Sequence, residues 1–164
     1  MPEALKLYHA PASPNSRRVR MFLAEKGISL PLVSIDLAAG ETWRRVSRNQ
    51  SAPRRLEGFA AVMEGARNAA PRLAGRAIAG PHDYAQIPEL VERSKRRVAN
   101  FYSDMDARLA DVSFIAGENF SAADITTLVA VDFATRALDI PVPAESRALR
   151  YWYDTVAARP SATA

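Results

Sequence analysis

Ser121 and Asp124, three positions apart at the head of a long apolar run, form the strongest local signal in the chain. The serine hydroxyl can accept from the backbone N–H of Asp124 while the carboxylate reaches back to the N–H of Ser121, which is a capping box. Phe120 and Ile125 occupy the positions on either side whose apolar contact staples the entering chain to the first turn. Past Asp124, only Thr126, Thr127 and Asp132 are polar before Ala134. A helix that is apolar around nearly its whole circumference belongs inside a bundle, so the remaining helices must wrap around it.

The chain supplies those helices. Ile87, Leu90, Val91, Ser94, Val98, Phe101, Met105 and Leu109 recur at helical spacing and predict one long amphipathic helix, with Glu89, Arg93, Arg96 and Arg97 on its other face. Beyond the core helix, Pro141 and Pro143 break the chain. Leu149, Trp152, Tyr153 and Val156 then give a final helix that ends at Arg159-Pro160. Upstream, Arg54 to about Ala69 reads as a helix through Leu56, Phe59, Ala60 and Met63, weakened by Gly58 and Gly65 at up to about 1 kcal/mol each. Pro71 to Pro81 is a loop.

The N-terminal stretch has a different rhythm. Leu5 to His9 alternates and is bounded by Pro11, as a short strand would be. After a loop from Ala10 to Pro14, Val19, Phe22 and Leu23 mark a helix with Lys26 in its last turn and Gly27 as its stop. Leu32 to Leu37 alternates again, with Val33, Ile35 and Leu37 on one face. Strand, helix and strand in so short a span predict a right-handed βαβ unit with two parallel strands. Two such strands are marginal alone and must lean on the bundle or on a second chain.

Composition narrows the chemistry. At 164 residues and 48% hydrophobic content the chain can bury one core, as a soluble domain or a domain and a half. With no cysteine, disulfides, thiolate nucleophiles and cysteine metal sites are excluded. His9 and His82 lie far apart, in neither an HxxxH nor an HExxH arrangement, so no metal site is expected. The opening Met-Pro-Glu-Ala-Leu-Lys lacks a signal core and no apolar run reaches membrane-span length, which implies a cytoplasmic protein with no membrane partner. The net charge of +4 admits anionic partners, and Arg44, Arg45, Arg48, Arg54 and Arg55 crowd together without an intervening acid. Nucleic-acid surfaces interleave such charge with aromatics, whereas only Trp43 accompanies it here, so a solvated arginine-rich connection is the preferred reading.

Two segments resemble a known family. Gly117-Glu-Asn-Phe-Ser-Ala-Ala-Asp-Ile125, after the apolar pair Phe114-Ile115, resembles the capped core helix in the all-helical C-terminal domain of cytosolic glutathione transferases. Non-catalytic relatives such as the stringent starvation protein and elongation factor gamma subunits share that helix, so it implies the fold and not catalysis. Leu5 to Gly40 resembles the opening half of the family's thioredoxin-like domain. Tyr8-His-Ala-Pro-Ala-Ser-Pro-Asn-Ser-Arg-Arg-Val-Arg20 and Phe22-Leu-Ala-Glu-Lys-Gly-Ile28 look most like bacterial members that use serine or threonine. The zeta and theta classes carry a serine where Ser13 stands, and the nu-like class has a Thr-Pro-Asn run matching Ser13-Pro14-Asn15.

The resemblance implies a role for a hydroxyl at that place. Glutathione attacks as a thiolate, yet a free thiol has a pKa of about 8.5 and is mostly protonated at neutral pH. A hydrogen bond to a charged acceptor contributes roughly 1.5 to 3 kcal/mol and a helix N-terminus about 0.3 to 1, enough together to lower the thiol pKa by roughly 1 to 3. Ser13 is the residue the resemblance places to donate that bond; without it, Ser13 and Ser16 read as helix caps. Asn15 is a second candidate, through its amide. Tyr8 is a third, because tyrosine-type classes use the end of the same strand, although a strand tyrosine is more often packed in a core. Arg18, where the zeta class also has an arginine, either contributes to the field that binds glutathione or lies exposed on the helix.

One departure stands out. In the family, the stretch after Asp36-Leu-Ala-Ala-Gly-Glu-Thr42 continues through a helix, a cis-proline loop, an antiparallel strand pair and a Glu-Ser step that hold the glutathione backbone and γ-glutamyl end. Here Trp43-Arg-Arg-Val-Ser-Arg-Asn-Gln-Ser-Ala-Pro53 follows and helical periodicity resumes at once. A strand takes about five residues and a helix about eleven, so those elements do not fit. The expected architecture is mostly α with a small α/β part: a truncated thioredoxin-like βαβ unit over 1–42, an arginine-rich connection over 43–53 and a helical C-terminal bundle over 54–164. The implied function is conjugation of glutathione, a co-substrate rather than a cofactor, to a small hydrophobic electrophile by a homodimer. The alternative is a non-catalytic binding or interaction module that has lost half of the glutathione site.

Overall fold

In the computed structural model, which describes residues 5–36 and 88–164, the two expected parts are present and share one core. β1 (Leu7–His9) and β2 (Leu32–Ser34) pair in parallel, Tyr8 opposite Val33, with α1 (Pro14–Glu25) between them. The Ile35 N–H extends the ladder to the His9 carbonyl at 2.9 Å. Val33 and Ile35 are half-buried while Leu32 and Ser34 are exposed, the alternation the sequence carries.

Both ends of α1 are set by local chemistry. Ser13 is its N-cap and Pro14 begins its first turn. At the other end the Ile28 N–H reaches the Leu23 carbonyl at 2.9 Å and the Gly27 N–H reaches Ala24 at 3.1 Å, a Schellman closure. It requires a left-handed residue, and Gly27 has φ +63°.

The bundle consists of α2 (Pro88–Asp111), α3 (Ala122–Ala137) and α4 (Arg147–Ala157), followed by a 3₁₀ turn over Pro160–Thr163. α3 is the interior helix: Ile125, Leu128, Val129 and Val131 are buried, and α1 and α4 pack against it. α2 packs on α4, contributing Tyr102 and Leu109 to the core. Met21 brings α1 into the same core, so the βαβ unit leans on the bundle through its helix.

The capping box at Ser121 is present, and its carboxylate serves more than the cap. Asp124 is fully buried and accepts from the Ser121 N–H at 2.8 Å and hydroxyl at 3.0 Å, and from the Ile115 N–H and the Trp152 indole at 2.9 Å each. A buried carboxylate is tolerated when each lone pair is engaged in this way. The Ile115 bond is made possible by a tight turn in which Phe114 and Gly117 exchange backbone hydrogen bonds, Gly117 at φ +138°. α4 has no side-chain cap of its own; Asp106 of α2 accepts the Leu149 N–H at 2.9 Å instead. The expected helix over 54–69, the loop over 71–81 and the arginine-rich connection lie outside the described residues.

Candidate functional site

The loop from Ala10 to Ser13 carries the chain from the end of β1 into α1, whose first two turns hold Asn15 and Arg18 just after Ser13. It is a closed turn: the Ser13 N–H donates to the Ala10 carbonyl at 3.0 Å, and the Ser16 hydroxyl accepts the Ala10 N–H at 3.2 Å. The Ser13 hydroxyl accepts from the Ser16 N–H at 3.5 Å, a long cap bond. Ser13 therefore caps α1, as read, whereas the Ser16 hydroxyl ties the loop at Ala10 to the helix and is not a cap. The first turn of α1 contains no acidic residue, so no carboxylate on that turn offsets the positive end of the helix dipole.

Asn15 and Arg18 meet one turn apart. The Asn15 amide oxygen accepts from an Arg18 terminal nitrogen at 2.8 Å on the exposed side of α1. Arg18 is half-buried rather than exposed, and its Nε is buried with no hydrogen-bond partner. Tyr8 also departs from expectation. It is 48% exposed, so it is not the packed strand tyrosine the general preference suggests.

Arg17 and Arg20 hold the helix from its other sides. The Arg20 guanidinium, which can only donate, lies 3.1 Å from His9 Nδ1 and 3.4 Å from the Pro11 carbonyl, steadying the loop before Ser13. Burial, and then the neighbouring Arg17, holds Arg20 below the usual guanidinium range. Arg17 donates to the buried Asp132 carboxylate of α3 and, at 2.8 Å, to the Ala162 carbonyl of the C-terminal turn. Asp132 also accepts the Tyr153 hydroxyl and faces Arg136 at 3.5 Å. Burial first, and then Asp132, pushes the Tyr153 hydroxyl pKa up.

Sequence reasoning missed Arg17 and Asp132. Asp132, the one carboxylate of α3 beyond its capped first turn, was the available signal, since a buried acid needs a partner. Among the described residues no group of acidic and histidine side chains is arranged to hold a metal ion, and no helix is long and apolar enough to cross a membrane.

A parallel βαβ unit docked by its helix on a bundle with a capped interior helix is the two-part plan of a thioredoxin-like domain joined to an all-helical one. Residues 7–55 match the family of the glutathione S-transferase N-terminal domain, and residues 56–160 match that of the glutathione S-transferase C-terminal domain. The chain belongs to the glutathione S-transferase family. Over 56 residues it is 41% identical to "Glutathione S-transferase 2" of Saccharomyces cerevisiae, a match spanning 34% of this chain and 24% of the yeast protein. Gtt2 from Saccharomyces cerevisiae has the same fold at TM-score 0.76 and 24% identity, covering 97% of this chain and 99% of that one. A glutathione S-transferase class Gtt2 protein of Vibrio parahaemolyticus aligns at TM-score 0.65 and 25% identity, covering 96% and 94%.

Proposed function

We propose that this chain is a serine-using glutathione transferase of zeta, theta or nu-like kind, with a shortened thioredoxin-like domain, that adds the glutathione thiolate to a small hydrophobic electrophile. Glutathione is the co-substrate, and a homodimer is the working form. The observation that carries this reading is the state of the Ser13 hydroxyl. It accepts one long bond from the Ser16 N–H and donates none to the described residues. The hydroxyl stands at the positive end of α1, where a thiolate would be favoured.

Asn15 would assist through its amide N–H₂, the oxygen being engaged by Arg18. Tyr8 is the weaker candidate. The second reading, a non-catalytic binding or interaction module, is favoured by the same cap bond, because a serine that terminates a helix needs no chemical role. Conjugation of an activated aryl halide separates the two. Ser13→Ala should lower kcat at least tenfold and raise the apparent pKa of the bound thiol, while Tyr8→Phe should change either little, in line with a charge-assisted bond of roughly 1.5 to 3 kcal/mol. The reverse order would remove Ser13 from the chemistry; glutathione binding by calorimetry without turnover would favour the binding module.

A further inference from the structure

We infer that Arg17 is the positioning residue of this site, fixing the Ser13 hydroxyl by tying the first turns of α1 to the buried Asp132 of α3. The inference rests on the glutathione-transferase reading for its functional half, and on geometry alone for its structural half.

α1 is anchored to the rest of the molecule at Met21, which is fully buried, at Arg17 on the Ser13 side of it and at Glu25 on the other. Ser13 and Met21 are eight residues apart on the helix, about 12 Å along its axis. If Met21 were the only anchor near this end, a tilt of about 10° around it would move Ser13 by roughly 2 Å. A misplacement of about 1 Å can cost roughly a hundredfold in rate. Arg17 is the anchor on the Ser13 side of Met21 that opposes such a tilt.

It is also directly joined to the site. The Arg17 N–H donates to the Ser13 carbonyl at 3.0 Å, so the two residues share the first hydrogen-bonded turn. Beyond the backbone, the guanidinium forks in two directions, to Asp132 and to the Ala162 carbonyl. Asp132 is itself oriented by the Tyr153 hydroxyl and by Arg136, so the partner is fixed before Arg17 reaches it. Lysine supplies a charge but no planar fork, and would satisfy the carboxylate without holding the carbonyl in the same geometry.

Arg17→Gln and Arg17→Lys in the full chain, each with and without Ser13→Ala, test this. Amide hydrogen exchange in the first two turns of α1 should accelerate about tenfold in Arg17→Gln and less in Arg17→Lys, with exchange in α3 unchanged. In aryl halide conjugation, Arg17→Gln should lower kcat with little change in the electrophile KM. The midpoint of the pH–rate profile should rise toward that of the free thiol, as displacement of Ser13 would cause and general destabilisation would not. The further loss from Ser13→Ala should nearly vanish in the Arg17→Gln background, since a displaced hydroxyl has nothing left to lose. Unchanged exchange in α1, or the same Ser13→Ala factor in both backgrounds, would overturn the inference. If the wild-type chain neither binds nor turns over glutathione, the proposed function fails, and the exchange measurement still decides whether Arg17 holds α1. Should Arg17→Gln not fold, the same comparisons apply to Arg17→Lys, which retains the charge facing Asp132.

Discussion

The Glu25 carboxylate and the Arg159 guanidinium meet fork to fork, Nε 2.9 Å from one oxygen and a terminal nitrogen 2.8 Å from the other, across 134 positions of sequence. The Ser161 hydroxyl adds a third donor to Glu25. On its other side the Arg159 guanidinium lies 3.8 Å above the Phe120 ring, which meets Phe114 edge to face. One cation thus joins the end of α1, the C-terminal turn and the residue preceding the cap of α3. Arginine suits this place because its planar group can fork and stack at once.

The fork gives stability a definite pH signature. Bonds from Arg159 and then Ser161 hold the Glu25 carboxyl at about 2, against an ordinary value of 4.5. Because the folded-state value is the lower one, the contribution is complete above about 4.5 and disappears as pH falls through about 2. Glu25→Gln should cost roughly 1.5 to 3 kcal/mol at pH 7. The gap in Tm between wild type and variant should hold above that window and close within it; a gap independent of pH would mean the charge contributes nothing.

Asp124 should be the most sensitive polar position in the bundle. Asp124→Ala removes the acceptor from the Trp152 indole and the Ile115 and Ser121 N–H groups, and each buried donor left unpaired costs about 1 to 3 kcal/mol. Ser121→Ala loses the cap, about 1 kcal/mol, and one of the four donors to Asp124, leaving the other three in place. Urea denaturation should therefore rank Asp124→Ala well beyond Ser121→Ala, with Trp152→Phe between them. Equal losses at Asp124 and Ser121 would show the carboxylate to be only a cap.

These residues also mark what a sequence makes legible. The capping box, the Gly27 stop and the helical periodicity of Val98, Phe101, Met105 and Leu109 are local signals, in which each residue's neighbour within a turn reports its role. The parallel pairing of two short alternating strands follows from the helix between them. Arg17 with Asp132, and Glu25 with Arg159, carry no such mark, because their partners lie more than a hundred positions away and are chosen by packing. At the candidate site the same limit applies. Ser13 and Asn15 were legible from the helix entry, whereas the Asn15–Arg18 contact and the exposure of Tyr8 depend on how α1 and β1 are oriented.

Glutathione should bind weakly. On the proposed reading, in which the segment that holds the peptide backbone and γ-glutamyl end is missing, losing two charge-assisted bonds at about 1.5 to 3 kcal/mol each lowers affinity by roughly a hundred- to ten-thousandfold. Attraction of the glutathione carboxylates by the arginines between 44 and 55 would restore only about 0 to 1 kcal/mol apiece at solvent-exposed pairs. Retention on immobilised glutathione should be negligible. Affinity equal to that of an intact relative measured alongside would show the site rebuilt.

Association should depend on concentration. Tyr8, Val19, Phe22, Ile28 and Leu32 of the βαβ unit are all more than 40% exposed, an apolar content that favours a second copy. Sedimentation equilibrium should show the mass rising toward that of a dimer with loading concentration, and a fixed monomer mass would contradict this.

The clasp between α1 and the C-terminal turn also bears on the order in which the molecule can be completed. Arg17 reaches across 145 positions to Ala162, and Glu25 across 136 to Ser161. A polypeptide synthesised from its N-terminus exposes both side chains long before either acceptor or donor exists. α1 can meet Asp132 of α3 before then, but its full seating is a non-local step that a growing chain cannot complete until residue 162 has emerged.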